Sequence, residues 1–165
     1  MEIRPERRGE EETIGALIGA AFAEAAHSGG NEAAIVAALR RTGRLALSLV
    51  AVEGEAIVGH CAVSPVTIDG RSCGWFGLGP VAVQPERQRR GIGRALMEAG
   101  LARLRAEGAK GCVVLGEPAY YGRFGFAADG AFRLDGVPPG YFMRLAFAEG
   151  EQGGRVAYDP AFAVQ

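Results

Sequence analysis

The sequence predicts an α+β fold, a mixed and mainly antiparallel central sheet flanked by helices, and three patterns carry that reading. Leu45 to Val52, Ala56 to Ile68 and Cys73 to Val83 are β-rich runs separated only by short turns, as antiparallel neighbours require. Glu10 to Ala26, Glu32 to Arg41 and Ile92 to Glu107 read as helices. Cys112 to Leu115, just after the last helix, is wholly apolar, as expected of a central strand in parallel pairing.

Taken in order, Met1 to Arg4 forms a short edge strand that Pro5 stops. In the first helix Ile14, Leu17, Ile18, Ala21 and Phe22 share one face, and Glu10, Glu11 and Glu12 suit the positive end of its dipole. Gly29-Gly30 breaks the chain and Asn31 is placed to cap the second helix. Glu53-Gly54-Glu55 and Asp69-Gly70 are hairpin connections between the β-rich runs. In the long helix Arg94, Glu98 and Arg105 face one way, Ile92, Leu96 and Ala99 the other. Pro118 opens a short helix, favourable at a first helical position. Ala131 to Leu134 and Tyr141 to Phe147 are further strands on either side of Pro138-Pro139, and Arg155 to Tyr158 a final edge strand. With no internal repeat and no linker, residues 1–165 read as a single domain.

Composition excludes several classes. With 48% hydrophobic and 22% charged residues the 165-residue chain buries a core and is not disordered. A net charge of −1 gives no global pull toward nucleic acid or an anionic membrane. No apolar run reaches the roughly 18 to 20 residues of a membrane span, and the N-terminus opens with charges, so a cytoplasmic protein is expected. Cys61, Cys73 and Cys112 have no metal-ligand spacing and lie in apolar strand-like runs, where cysteine behaves as a small hydrophobe.

Most of the chemistry is concentrated in Val81 to Leu96. A β-branched run ends at Gln84-Pro85, a charged loop follows, and Gly91 and Gly93 open the long helix. The loop N–H groups and the unpaired donors of the helix start point the same way, and the dipole adds about half a positive charge. Two glycines let a phosphate approach the backbone, and Arg89, Arg90 and Arg94 add cations, so the segment is a diphosphate cradle. A dinucleotide fingerprint would need a third glycine where Leu96 stands, and a P-loop would need a Gly-Lys-Ser/Thr triplet that is missing. Arg87, Arg89, Arg90 and Arg94 have no interleaved aromatic residue, which argues against a nucleic-acid contact.

Gln88-x-x-Gly91-x-Gly93, after a strand and before a helix, resembles the Gln/Arg-x-x-Gly-x-Gly/Ala signature of the GNAT N-acetyltransferase superfamily, whose loop cradles the pyrophosphate of coenzyme A. Tyr121-Gly-Arg-Phe-Gly-Phe126, following Leu115-Gly-Glu-Pro, is similar to that family's post-strand helix with Tyr-x-x-x-Gly-Phe. The resemblance covers roughly residues 3 to 148 and implies the GNAT acyl-CoA N-acyltransferase fold, with a splayed parallel strand pair. It implies an acetyltransferase that uses acetyl-CoA as donor, needs no metal, and passes the acetyl group directly to a primary amine of a small molecule or peptide. Val81, Ala82 and Val83 would hold the pantetheine, with Gly77, Gly79 and Pro80 forming a bulge that starts the splay. Gln88, Arg89, Arg90, Gly91, Ile92, Gly93 and Arg94 would hold the pyrophosphate.

Tyr121 would protonate the departing thiolate, with Tyr120 in reserve. For the general base Glu117, His60 and Glu86 are the candidates beside a water chain, and Glu117 is carried forward with Tyr121 as catalytic. The acceptor would enter from the side of the N-terminal helices, between the His27 to Asn31 turn and Pro138 to Gly140. A homodimer is compatible with this reading. The alternative is a domain that binds acyl-CoA as a sensor or interaction module without catalysis.

Overall fold

The computed structural model describes residues 1–25, 28–150 and 152–164. Strand β1 (Glu2–Pro5) leads to helices α1 (Glu11–Phe22) and α2 (Glu32–Arg41), then to strands β2 (Leu47–Glu53), β3 (Ala56–Ile68) and β4 (Arg71–Val83). Helix α3 (Ile92–Ala106), strand β5 (Gly111–Leu115) and the short helix α4 (Pro118–Tyr121) follow. The remaining strands are β6 (Ala127–Ala128), β7 (Phe132–Arg133), β8 (Phe142–Ala146) and β9 (Gly154–Ala157). The sheet runs β1-β2-β3-β4-β5-β8-β6, and only β4 and β5 among these neighbours are parallel.

The expected elements are present, most with ends moved by a few residues. The first helix stops at Phe22, short of Ala26, which lies outside the described residues. Asn31 occupies the N-cap position of α2, yet its side chain caps nothing; its amide donates instead to the Val164 carbonyl at 2.8 Å, tying the C-terminal tail to α2. Glu10 sits at the N-cap of α1, and its carboxylate accepts from Arg4 and from the Arg7 N–H. Strand β9 is not an edge: it pairs with the end of β3 and, in parallel, with β7. The two-residue strand β6 was not legible beforehand.

Both faces of the sheet are covered, and period-2 alternation sorts the side chains between them. Leu47, Leu49 and Ala51 of β2 join the cluster under α3, built on Ile92, Leu96, Met97 and Leu104. Val50 and Val52 join the opposite cluster under α1 and α2, with Ile14, Ile18 and Val36. Burying each such side chain contributes on the order of 2 kcal/mol. A third cluster gathers Trp75, Val113, Phe132, Phe142 and Val156 around the far end of β4 and β5.

One glycine sets the height of α3 above the sheet. A Cβ on Gly59 would lie 2.9 Å from both Ile92 Cγ2 and Leu96 Cδ1. Helix α3 therefore rests directly on the β3 backbone at its own first turn, which is also the glycine-bearing loop's attachment point. Gly59→Val is expected to overpack this contact and to destabilise the fold by about 1–3 kcal/mol. Urea unfolding checks this: the midpoint should fall with the slope unchanged.

Candidate active site

Strands β4 and β5 pair only from Trp75–Gly111 to Gly77–Val113. Beyond that point β4 stays with β3 alone, and its register shifts between Cys61 and Val63, so that β4 carries one extra residue at Gly79-Pro80. Gly79 has φ +136, a conformation that a side-chain-bearing residue rarely adopts. The bulge kinks β4 away from β5 and opens a wedge between two parallel strands.

The direction of the backbone groups along that wedge follows from strand alternation. The Gln84 N–H donates to the Val58 carbonyl of β3 at 2.9 Å. Groups of alternate residues share a side, so Ala82 also bonds toward β3, while the N–H and C=O of Val81 and Val83 face the open wedge. The Gln88 amide, donating to the Val83 carbonyl at 3.2 Å, already occupies one of these positions. Of the three strand residues expected to meet a pantetheine, Val81 and Val83 turn their backbone groups to the wedge and Ala82 turns its own to β3.

The glycine-bearing loop follows. Gly91 is the N-cap of α3 with φ +85, and Arg89 also lies at positive φ, +66. The first helical bond runs from Ala95 N–H to the Gly91 carbonyl, which leaves the N–H groups of Ile92, Gly93 and Arg94 without helical partners. Val81, Val83, Gln88, Arg89, Gly91, Gly93 and Arg94 surround one depression with Tyr120, Tyr121 and Arg123. The Ile92 side chain is buried in the core and Arg90 is exposed outside this lining, so Ile92 offers its backbone alone. Arg87 is committed elsewhere, holding the loop to the β2–β3 hairpin through Glu53 at 2.6 Å. Arg94 is exposed and paired with Glu98 at 2.8 Å.

Tyr120 and Tyr121 stand edge-to-face at the end of β5, ring centroids 5.0 Å apart. Tyr120 borders the loop, its hydroxyl 3.4 Å from where a Cβ on Gly93 would be, and Arg123 stacks over its ring. Tyr121 lines the loop depression and also a second cleft on the other side of the wedge. Burial pushes the Tyr121 phenol up to about 12. The second cleft encloses about 360 Å3 and is walled by Phe22 of α1, Glu32 and Ile35 of α2, Leu78 to Val81 of β4, Leu115, Leu134, Tyr158 and Phe162.

Two depressions thus meet at Val81 and Tyr121 across a strand pair that has come apart. The family model of the acetyltransferase (GNAT) domain matches residues 2–128. The chain belongs to the GNAT acetyltransferase family. It shares 47% identity and a TM-score of 0.88 with a GNAT family acetyltransferase from Brucella melitensis solved with acetyl-CoA, over 98% of this chain and 97% of that one. A GNAT family N-acetyltransferase, YhbS from Escherichia coli, solved with CoA, is 32% identical with a TM-score of 0.89, over 98% of this chain and 91% of that one. At the sequence level the chain is similar to the uncharacterized N-acetyltransferase YhbS of Escherichia coli (strain K12), 42% identical over 96 residues, 58% of each protein. The chain thus spans about three-fifths of the length of the curated relatives it matches.

The candidate bases of this GNAT domain lie apart from the clefts. Glu117 stands exposed at the N-terminal end of α4 and lines neither. Glu86 is exposed in a single 3-10 turn, Pro85–Arg87, after β4. His60 is fully buried: its Nε2 shares a 2.8 Å hydrogen bond with Ser48 Oγ, which reaches Glu6, which is paired with Arg40 at 2.8 Å. That chain ties β1, α2, β2 and β3 together and is structural. Cys61 and Cys112 are buried, and burial raises both thiols, Cys61 to about 12, so they stay protonated hydrophobes. Cys73 is half-buried. Among the described residues no His, Cys, Asp or Glu cluster could hold a metal ion, and no helix is long and apolar enough to cross a membrane.

The cleft walls differ from the sequence expectation. Pro138 to Gly140 are not among them, because the chain there turns out to the surface before β8; His27 lies outside the described residues. Glu32, Leu134, Tyr158 and Phe162 were missed. Tyr158 ends the run read as a final edge strand and Phe162 lies beyond it, and only the fold brings this part of the chain against α2.

Burial is the main cause that lowers the His60 imidazole to about 4, against 6.5 for the free side chain. A histidine depressed on folding contributes stability that is present above its unfolded pKa and is lost as the pH falls toward the folded one. Burial alone would raise the Glu6 carboxyl, but hydrogen bonds from Arg40 and Ser48 outweigh it and hold it below the usual range, which adds to the loss at lower pH. Between pH 6.5 and 4 His60 is expected to cost up to about 3 kcal/mol of stability. Denaturation midpoints across that window test this, and His60→Gln should flatten the slope.

Proposed function

We propose that the chain transfers the acetyl group of acetyl-CoA to a primary amine by direct attack on the thioester. The observation that carries this reading is the open edge of β4 beside the unpaired N–H groups of α3, with Tyr121 bordering both clefts. An extended pantetheine fits the wedge as a surrogate strand, meeting the backbone of Val81 and Val83. The pyrophosphate fits the N–H groups from Gly91 to Arg94, with Arg89 and Arg94 as counter-charges. That two relatives were solved with acetyl-CoA and with CoA supports the choice of donor.

The chemistry asks three things of these residues. A fixed N–H of β4 polarises the thioester oxygen as the nitrogen–carbon bond forms. Tyr121, held protonated by burial, donates to the sulfur as the carbon–sulfur bond breaks. The proton that the acceptor nitrogen sheds then restores the phenol, so charge and protons balance over the cycle. Glu117 is given no proton-transfer role in this scheme, since it lines neither cleft.

Tyr121→Phe is expected to lower kcat by about 10²- to 10⁴-fold while leaving CoA affinity within about twofold, measured by thiol release and by calorimetry. Because the phenol is pushed up to about 12, its ionisation should produce no alkaline decline in wild-type kcat up to about pH 10. A decline below pH 10 that Tyr121→Phe abolishes would show that burial does not hold the phenol protonated. Arg89→Ala should weaken CoA binding by about tenfold and reduce its dependence on salt. An acyl-CoA-binding module without catalysis would bind CoA equally well and release no thiol with any amine. No thermal shift with saturating CoA would overturn both readings.

A further inference from the structure

The second cleft has a chemical character that the acetyl-transfer reading leaves unused. Its walls are apolar or aromatic: Phe22, Ile35, Leu78, Leu115, Leu134 and Phe162 dominate. The polar exceptions on side chains are the phenols of Tyr121 and Tyr158 and one carboxylate, Glu32. Among the described residues no lysine, arginine, amide or aliphatic hydroxyl lines it. Its volume, about 360 Å3, lies at the low end of small-molecule sites.

Glu32 is built into this place. It is the first residue of α2, and the Ser28 hydroxyl donates to its carboxylate, 2.8 Å from either oxygen. The Ser28 oxygen in turn accepts the Gly30 N–H at 2.9 Å, so the turn before α2 aims the carboxylate. Half-buried Glu32 lines both the cleft and a smaller depression beside Gly19, Ser28 and Gly30, which puts it at the mouth. At the inner end Tyr158 lies against Gly77, where even a Cβ would collide with its ring, and Tyr121 borders the wedge. A cation entering this cleft meets one negative charge and then apolar surface broken only by two phenols, up to the point where the thioester would lie.

Resting on the acetyl-transfer reading above, we infer that the acceptor is a small, predominantly apolar primary amine, taken up as its ammonium ion by Glu32 and buried by its hydrocarbon or aromatic body in this cleft. An anionic acceptor would face Glu32 without any countering cation. A polyhydroxylated or polycationic one would bury several polar groups that the walls do not satisfy. The ammonium ion releases one proton to water at the mouth. The free nitrogen then bonds the carbonyl carbon, the carbon–sulfur bond breaks, and the nitrogen's second proton passes to sulfur by way of Tyr121. Glu32 touches the acceptor in its binding step and acts as a specificity determinant.

The test compares phenethylamine and hexylamine with glutamate, kanamycin and spermidine as acceptors, at saturating acetyl-CoA, on the full chain. The apolar monoamines should exceed the others in kcat/KM by at least about 100-fold. Glu32→Gln should raise KM for phenethylamine by about tenfold or more, with CoA affinity unchanged and kcat changed by less than about threefold. Inhibition by the uncharged phenethyl alcohol should be unaltered in the same variant, which a general disturbance of the cleft would not spare. Preference for glutamate, kanamycin or spermidine, or an unchanged KM in Glu32→Gln, would overturn the inference. So would faster turnover of hexanoyl-CoA than acetyl-CoA, which would assign the apolar walls to the donor's chain. If CoA binds but no amine is acetylated, calorimetry of phenethylamine against the CoA-loaded protein separates the two readings. Binding that Glu32→Gln weakens would keep the cleft assignment and remove the transfer reaction; no binding would remove the assignment.

Discussion

The whole arrangement depends on a parallel strand pair that stops pairing. A strand edge buried without partners is costly, since each unsatisfied backbone group forfeits a hydrogen bond. Here β4 leaves β5 after Gly77, and the N–H and C=O groups of Val81 and Val83 turn toward a wedge instead of a neighbour. The fold tolerates this because β3 continues to hold the other edge of β4 as far as Val83. An edge of that kind is a template for any extended chain that can supply the missing bonds. Everything of chemical interest sits around it: the loop and α3 on one side, α1, α2 and the tail on the other, Tyr121 between.

Positioning of the two clefts is a packing problem solved on opposite faces of one sheet. Gly59 lets α3 settle onto β3, which brings the helix start level with the end of β4. On the opposite face α1 and α2 rest on Val50, Val52, Ala62 and Ala82, and Asn31 pins the tail across α2. The half-buried run from Arg40 through Glu6 and Ser48 to the buried His60 then links α2 to the sheet. Charges near the site divide by role: Arg87 fastens the loop to the β2–β3 hairpin, while Arg89 and Arg94 remain at the depression's rim.

Local patterns were legible wherever the sequence itself carries the constraint. The hairpins at Gly54-Glu55 and Asp69-Gly70 were visible because positive φ at Gly54, Asp69 and Gly70 selects those residue types. Helix α2 was read to its ends, and α3 to within one residue, because a glycine-bearing start and a buried stripe bound it. The glycine-bearing loop was legible for the same reason: loop, glycines and cations are consecutive in the chain. The walls of the second cleft were not. Glu32 was read only as the start of a helix, Asn31 as its cap and Tyr158 as the end of an edge strand, and Phe162 was given no element. Tertiary contacts give them their places, such as Asn31 with Val164 and Tyr158 with Gly77.

By itself the sequence determined the fold class, the order of the main elements, the family resemblance and the loop suited to a diphosphate, since all of these follow from periodicity, turn chemistry and motifs contiguous in the chain. Tertiary structure alone decided which strand residues face the wedge, which cations are already committed, that His60 is buried structure, and that Glu32 stands at the mouth of an apolar cleft. The reason is physical. A helix-start glycine constrains its own backbone wherever it lies, whereas a carboxylate becomes a binding group only when distant segments surround it and remove the water.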